Sequence, residues 1–175
     1  WRHVWVVSDI HGCYQRIMDE LKRRHFNPYE DLLISVGDVI DRGPDSIKCL
    51  QLMNEKWFRA VRGNHEQMAI DSLDNNDFAL WTMNGGIWFT RLEHTQQQLA
   101  LTLLNACREL PHIIEITCAN GLNVIAHADY PAAEYRWQKP VSAQHVLWDR
   151  DRLMGFMVGK GQGIGGADHF WFGHT

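Results

Sequence analysis

The feature that most limits what this chain can fold into is a threefold recurrence near its start. Short apolar runs at Val4-Trp5-Val6-Val7, Leu32-Leu33-Ile34-Ser35-Val36 and Phe58-Arg59-Ala60-Val61 each lead straight into a polar loop containing glycine. The loops are Ser8-Asp9-Ile10-His11-Gly12, Gly37-Asp38-Val39-Ile40-Asp41-Arg42-Gly43 and Arg62-Gly63-Asn64-His65-Glu66. After the first two loops the apolar spacing turns helical, through Ile17, Met18 and Leu21 within 13–24 and through Ile47, Leu50, Leu52 and Met53 within 45–56. Strand, loop and helix repeated in this way predict a mainly parallel sheet with helices on its faces. Open α/β sheets place ligand-binding groups at the carboxyl ends of strands, which is where these loops fall.

Residues 67–110 read as mostly helical, with breaks at 73–76 and at Asn84-Gly85-Gly86, and with Leu99, Leu103 and Leu104 facing one way. Two further apolar runs, Ile113–Thr117 and Leu122–Ala126, flank Asn120-Gly121, a strong hairpin signal. The second run leads into His127-Ala128-Asp129. A Pro-containing loop, Trp148-Asp149-Arg150 and a glycine-rich segment from Gly155 to Gly166 follow. That segment lacks GxxxxGK[ST] spacing and reads as a mobile loop rather than a phosphate loop. A last strand, Phe170-Trp171-Phe172, leads to Gly173-His174-Thr175. With no internal repeat and no linker, residues 1–175 read as a single domain.

A net charge of −4 offers no basic footprint for nucleic acid. No apolar run approaches the roughly 20 residues of a membrane span. Cys13, Cys49, Cys107 and Cys118 are scattered without a CxxC pair, as reduced thiols of a cytoplasmic protein would be. Oligomeric state has no signature here.

Ten histidines are the unusual part of the composition. Potential ligand groups follow predicted strands at Asp9 and His11, Asp38, Asn64, His127 and His174, a regularity that chance rarely produces. Carboxylate, imidazole and amide together suit Mn, Fe or Zn better than Ca or Mg. One divalent ion would take Asp9, His11 and Asp38. A second would take Asp38, Asn64, His127 and His174, with Asp38 shared. Two ions about 3.5–4 Å apart clamp a phosphoryl group. His65, beside Asn64, is placed near the ions without binding them, and with Asp41 it would serve as a general acid. Arg42, Arg62 and Arg150 are candidates for phosphate oxygens, and Arg152 could exchange roles with Arg150. His3, His25, His94, His112 and His145 show no companion acid and read as structural or exposed. His169 precedes the last strand, which favours His174 as the ligand. The tryptophans read as core, with Trp88 at the edge of a cleft.

Asp9-Ile10-His11-Gly12, Gly37-Asp38-Val39-Ile40-Asp41-Arg42-Gly43 and Gly63-Asn64-His65-Glu66 resemble, in order and spacing, the signature of the PPP-family metallophosphoesterases. His127-Ala128-Asp129 and Gly173-His174-Thr175 resemble the family's last two metal motifs. Ala128-Asp129 in place of Gly-Gly points to the bacterial and bacteriophage branch. The resemblance implies an α/β, calcineurin-like metallophosphoesterase fold, a central β-sandwich flanked by helices. It implies a manganese-dependent phosphatase for phosphoserine and phosphothreonine, often phosphotyrosine too. A hydroxide bridging the two ions would attack, and phosphoproteins or phosphopeptides would be the partners. Family members continue past Gly-His-Thr, so the chain is expected to be a piece of a longer protein. A symmetrical diadenosine tetraphosphate hydrolase shares the metal set but usually carries Asn at position 41 and Asp at 66, so Asp41 and Glu66 favour the protein phosphatase. A non-catalytic metal-binding scaffold would have lost a ligand or the acid, and neither is missing.

Overall fold

The computed structural model describes residues 1–174. The three early apolar runs form β1 (Val4–Val7), β2 (Leu32–Ser35) and β3 (Phe58–Ala60), paired in parallel in that order. Parallel neighbours need crossovers, and α1 (Tyr14–Arg23) and α2 (Ser46–Gln51) supply them. The helix expected over 45–56 is shorter, because α2 ends at Gln51 and one 3₁₀ turn, Leu52–Asn54, follows it.

Side chains alternate across this sheet, so each face has its own core. Leu33, Phe58 and Ala60 pack with Leu21 of α1 and Cys49 of α2. Val4, Val6, Leu32 and Ile34 point the other way, onto Ile114, Ile116 and Ile125 of a second sheet. That second sheet is the predicted hairpin, β4 (Ile113–Cys118) antiparallel to β5 (Gly121–Ala126), with β6 (His169–Trp171) parallel to β5. The sandwich is therefore present. Ile34 is 1% exposed between the sheets, and its truncation to Ala would cost about 2–5 kcal/mol.

Some details differ from the sequence expectation. The hairpin turn is Ala119-Asn120, and Gly121, at φ 108°, already pairs with Cys118. Helix α3 (Asn64–Asn75) runs through Leu73 and stops only at Asn76, which takes a left-handed φ of 52°. Short helices α4 (Ala79–Trp81) and α5 (Ile87–Thr90) flank a π-type turn at Thr82–Gly86 that is kinked at Gly85. In α6 (His94–Ala106) the inward face is Ala100, Leu103 and Leu104, while Leu99 is 41% exposed. Two helices unsignalled by apolar spacing, α7 (Ala143–Trp148) and α8 (Asp151–Met157), bracket Arg150. Among the described residues no helix is long and apolar enough to cross a membrane.

Candidate active site

The loops after β1 and β2 are stitched together by their backbones. The Ile10 and His11 N–H groups donate to the Asp38 carbonyl at 3.0 and 2.8 Å, and Gly12 N–H donates to Val39 O at 2.9 Å. Glu66, the first-turn acid of α3, is fully buried and gathers four backbone N–H groups. Its carboxylate accepts from Asp38 at 3.0 Å, Val39 at 2.8 Å, Ile40 at 3.3 Å and Gly63 at 2.9 Å. Burial and the nearby Asp38 carboxylate push the Glu66 carboxyl up to about 7, against donors that favour its charged form. The site also carries an unusual backbone. His11 (φ 46°), Asp38 (50°), Asp41 (74°), Arg42 (67°) and His174 (59°) all lie in the left-handed region. Such residues cost on the order of 1–3 kcal/mol each and persist where surrounding structure over-determines them.

Asp38 is the centre of the donor set. His11 Nε2 lies 3.7 Å from its Oδ2 and His127 Nε2 3.4 Å from its Oδ1. Backbone carbonyls fix both rings: His11 Nδ1 lies 3.0 Å from Ile40 O and His127 Nδ1 lies 2.8 Å from Val36 O. Each Nδ1 therefore faces a carbonyl oxygen and each Nε2 faces Asp38, the placement metal-binding histidines use. The Asn64 side-chain oxygen lies 2.8 Å from His127 Nε2 and 3.0 Å from His174 Nδ1. Both Asp38 carboxylate oxygens lie near that same amide end, at 3.1 and 3.2 Å. Asp9 accepts the His174 backbone N–H at 3.1 and 3.2 Å, which places the last motif against the first.

The residues fit divalent cations. Lone pairs from carboxylate, imidazole and amide converge, and the buried His174 Nε2 has no partner. Two three-residue donor groups, His11-Asp38-His65 and Asp38-His127-His174, share Asp38. Burial alone would raise the Asp38 pKa, but His127 and His65 reverse that and bring it down to about 2. Burial, His127 and Arg150 hold His174 down to about 4, so its imidazole is neutral at pH 7, as a ligand must be.

His65 Nδ1 lies 2.7 Å from Asp41 Oδ2, and its Nε2 lies 3.2 Å from an Arg42 nitrogen. Asp41 also accepts from Trp81 Nε1 at 2.8 Å and from Trp88 Nε1 at 2.7 Å. From sequence Trp81 reads as core and Trp88 as the edge of a cleft, and only the three-dimensional arrangement reveals both as anchors of the carboxylate. Gly85, at φ 113°, brings the chain within 3.0 Å of Arg42 N, measured from where a Cβ would stand. It thereby carries Asn84 into the site.

A cavity of ≈ 170 Å³ is lined by Asp9, His11, Asp38, Arg42, Asn64, His65, Asn84, Trp148, Arg150 and His174. Arg42 and Arg150 thus face it, the latter tied by Nε to His174 O at 3.1 Å. Arg62 does not. Its guanidinium turns to Gln67 Oε1 at 3.0 Å and to the Arg108 carbonyl, an internal tie between β3 and the end of the α6 segment. Arg152 does not exchange with Arg150, because Asp129 holds it at 2.6 Å. Two histidines do have companion acids, contrary to expectation: His3 lies 3.1 Å from Asp31, and His145 lies between Asp129 at 3.3 Å and Asp149 at 2.9 Å. Thr175, from the last motif, lies outside the described residues.

Comparison with known proteins agrees with this geometry. The chain is 58% identical to serine/threonine-protein phosphatase 1 of Salmonella typhimurium over its whole length and 79% of that protein. It is 49% identical to serine/threonine-protein phosphatase 2 of Escherichia coli strain K12, over 99% of the chain and 80% of the relative. The crystal structure of a candidate diadenosine tetraphosphatase superposes with a TM-score of 0.61 at 27% identity, covering 84% of this chain and 58% of that one. The family model described as calcineurin-like phosphoesterase matches residues 2–175. The family implies a dimetal site, and the Asp38-centred groups are candidate ligands for it. By sequence, fold and donor set alike, the chain belongs to the calcineurin-like phosphoesterases.

Proposed function

We propose that the chain is a metal-dependent protein phosphatase that hydrolyses phosphoserine and phosphothreonine, and phosphotyrosine as well, in peptides or proteins. The observation that carries this reading is the buried Asp41–His65 pair, whose outer nitrogen meets Arg42 at the cavity that the metal donors line. The names of the two bacterial relatives support the same substrate class.

Asp9, His11, Asp38, Asn64, His127 and His174 would hold two divalent ions, with manganese the best fit to this mixed donor set and iron or zinc the alternatives. Bound there, such ions supply Lewis acidity and lower the pKa of water from 15.7 toward about 7. Arg42 and Arg150 present guanidinium groups to the phosphoryl oxygens, where charge builds in the transition state. Phosphate binding at Arg42 draws its N–H away from His65 Nε2 and leaves that nitrogen facing the leaving group. Freed from Arg42, Nε2 takes up a proton from solvent to form the imidazolium and gives that proton to the departing serine or threonine oxygen. Asp41 keeps Nδ1 protonated and stabilises the imidazolium. The four cysteines are free thiols, consistent with action in the reducing cytoplasm.

A second reading, hydrolysis of symmetrical diadenosine tetraphosphate, is favoured by the 27% identical structural relative. One assay separates them. Metal-depleted protein is offered a phosphoserine peptide and diadenosine tetraphosphate, each with and without Mn²⁺. Manganese-dependent phosphate release from the peptide supports the phosphatase reading. Cleavage of the dinucleotide alone replaces it, and silence on both substrates with metal bound leaves a non-catalytic binding domain.

A further inference from the structure

The catalytic cavity has an apolar neighbour. A second cavity of ≈ 370 Å³ shares Arg150 and His174 with it. Its lining includes Leu153 and Phe156 of α8, Ile164 from the glycine-rich segment, and Phe170 and Phe172 at β6. Gly161 lies directly on the Phe156 ring, where any Cβ would collide, so the glycine-rich segment is laid down over α8.

The charged groups of Arg152 and Asp129 at this cavity already have partners. Arg152 donates to Asp129 at 2.6 Å, to Gln162 O at 2.6 Å and to Tyr130 O at 3.0 Å. His145 bridges Asp129 and Asp149 through its two ring nitrogens. A charged occupant would give up water for a wall of Leu153, Phe156, Ile164, Phe170 and Phe172, whereas an apolar occupant gives up only unfavourable hydration. The apolar surface also continues outward on α8 and just beyond it, where Met154, Met157 and Val158 are 53%, 72% and 65% exposed.

We propose that this cavity is a substrate subsite that takes a large apolar side chain next to the phosphorylated residue of a peptide. The inference rests on the protein-phosphatase reading above and gives that reading a sequence preference. Continuity carries it: consecutive Cα atoms are about 3.8 Å apart, so a residue whose phosphate meets Arg150 has its neighbour within reach of the space behind Arg150. A later segment of the same chain or a second copy filling the cavity would leave no such preference.

The test uses the intact chain with Mn²⁺ and phosphoserine peptides carrying Leu, Phe, Gly or Glu on either side of the phosphoserine. Within the unaltered protein, kcat/KM for the Leu or Phe peptide should exceed that for the Gly peptide by about tenfold or more, as filling an apolar pocket allows. Leu153→Asp and Phe156→Asp should each bring that ratio down toward one. Both residues are partly exposed, at 40% and 57%, so the chain should tolerate the changes. Equal turnover of all peptides, or a preference that survives both substitutions, overturns the subsite and leaves the phosphatase reading intact. Nonhydrolysable phosphonate peptides, followed by fluorescence anisotropy, separate the opposite case. If nothing is hydrolysed but the apolar phosphonate binds tighter than its Gly counterpart, and loses that advantage in Leu153→Asp, the phosphatase reading falls and the subsite stands. If neither turnover nor selective binding is seen, both fall.

Discussion

His65 and Asp41 are 24 positions apart in the chain and 2.7 Å apart in space, with both side chains sealed from solvent. Asp41 accepts from His65 and Trp81 on one oxygen and from Trp88 on the other, so every donor around it needs an acceptor. Asp41→Asn therefore sets an N–H against an N–H whichever way the amide turns, at about 1–3 kcal/mol for the unmet group. It also releases His65 from its tautomer. Turnover of a phosphoserine peptide should fall roughly 10²–10⁴-fold, with metal content unchanged by elemental analysis. An Asp41→Asn protein that keeps full turnover would remove Asp41 from the mechanism.

A general acid matters in proportion to how poor the leaving group is. His65→Asn should lose most turnover on phosphoserine, whose alkoxide is a strong base. It should lose far less on an aryl phosphate with an acidic phenol. The check is a plot of log kcat against leaving-group pKa, which should be steeper for the variant. Parallel lines would mean that His65 does not protonate the leaving oxygen.

Asp38 belongs to both donor groups around the proposed ions. Added Mn²⁺ at a hundred times its Kd should stabilise the unaltered chain by about 2.7 kcal/mol, a rise in melting temperature on the order of 5–10 °C for a domain of this size. Asp38→Ala should show no rise and no activity. A full manganese-dependent rise in that variant would show that Asp38 is not needed to hold the metal.

Gly63 leans on Asp38 so closely that an added Cβ would strike the carboxylate. Its φ of −95° is ordinary, so the constraint is space rather than backbone freedom. Gly63→Ala should cost about 1–3 kcal/mol by overpacking, and it should weaken manganese binding in a calorimetric titration because Asp38 must move. Unchanged affinity would contradict the packing argument.

Acid should loosen the N-terminus first at Asp31. The Arg2 guanidinium bonded to it, outweighing burial, brings its pKa down to about 2. A depressed carboxyl contributes stability that is present above its unfolded value, about 3.9, and is lost as pH falls through the folded one. Melting temperature should therefore drop between about pH 4 and pH 2. Arg2→Ala should flatten that part of the profile, and an unaltered slope would assign the acid sensitivity elsewhere.

The strand ends were legible in the sequence because β-branched runs and glycine loops impose their geometry locally. The hairpin was legible for the same reason, within one residue of its turn. For Arg62, the position beside the Gly63-Asn64-His65 motif says where its backbone lies, not that Gln67 and the Arg108 carbonyl hold its guanidinium. His145 reads from sequence as lacking a companion acid, yet Asp149, one helical turn on, is a visible i+4 partner, while Asp129 is 16 positions away. Trp81 and Trp88 reach Asp41 from 40 and 47 positions off, a distance no spacing rule covers. Helices α7 and α8 are 6 and 7 residues long, too short to establish an apolar period, so tertiary contacts decide them.

The contact between Asp9 and the His174 backbone N–H joins positions 165 apart. It acts as a clasp. A chain emerging from synthesis can build its first sheet and most of its helices with no competent centre, because the closing half of the clasp follows the opening half by 165 positions. Hydrolytic activity is thus a report on completed assembly, and during refolding its return should lag behind that of the backbone structure.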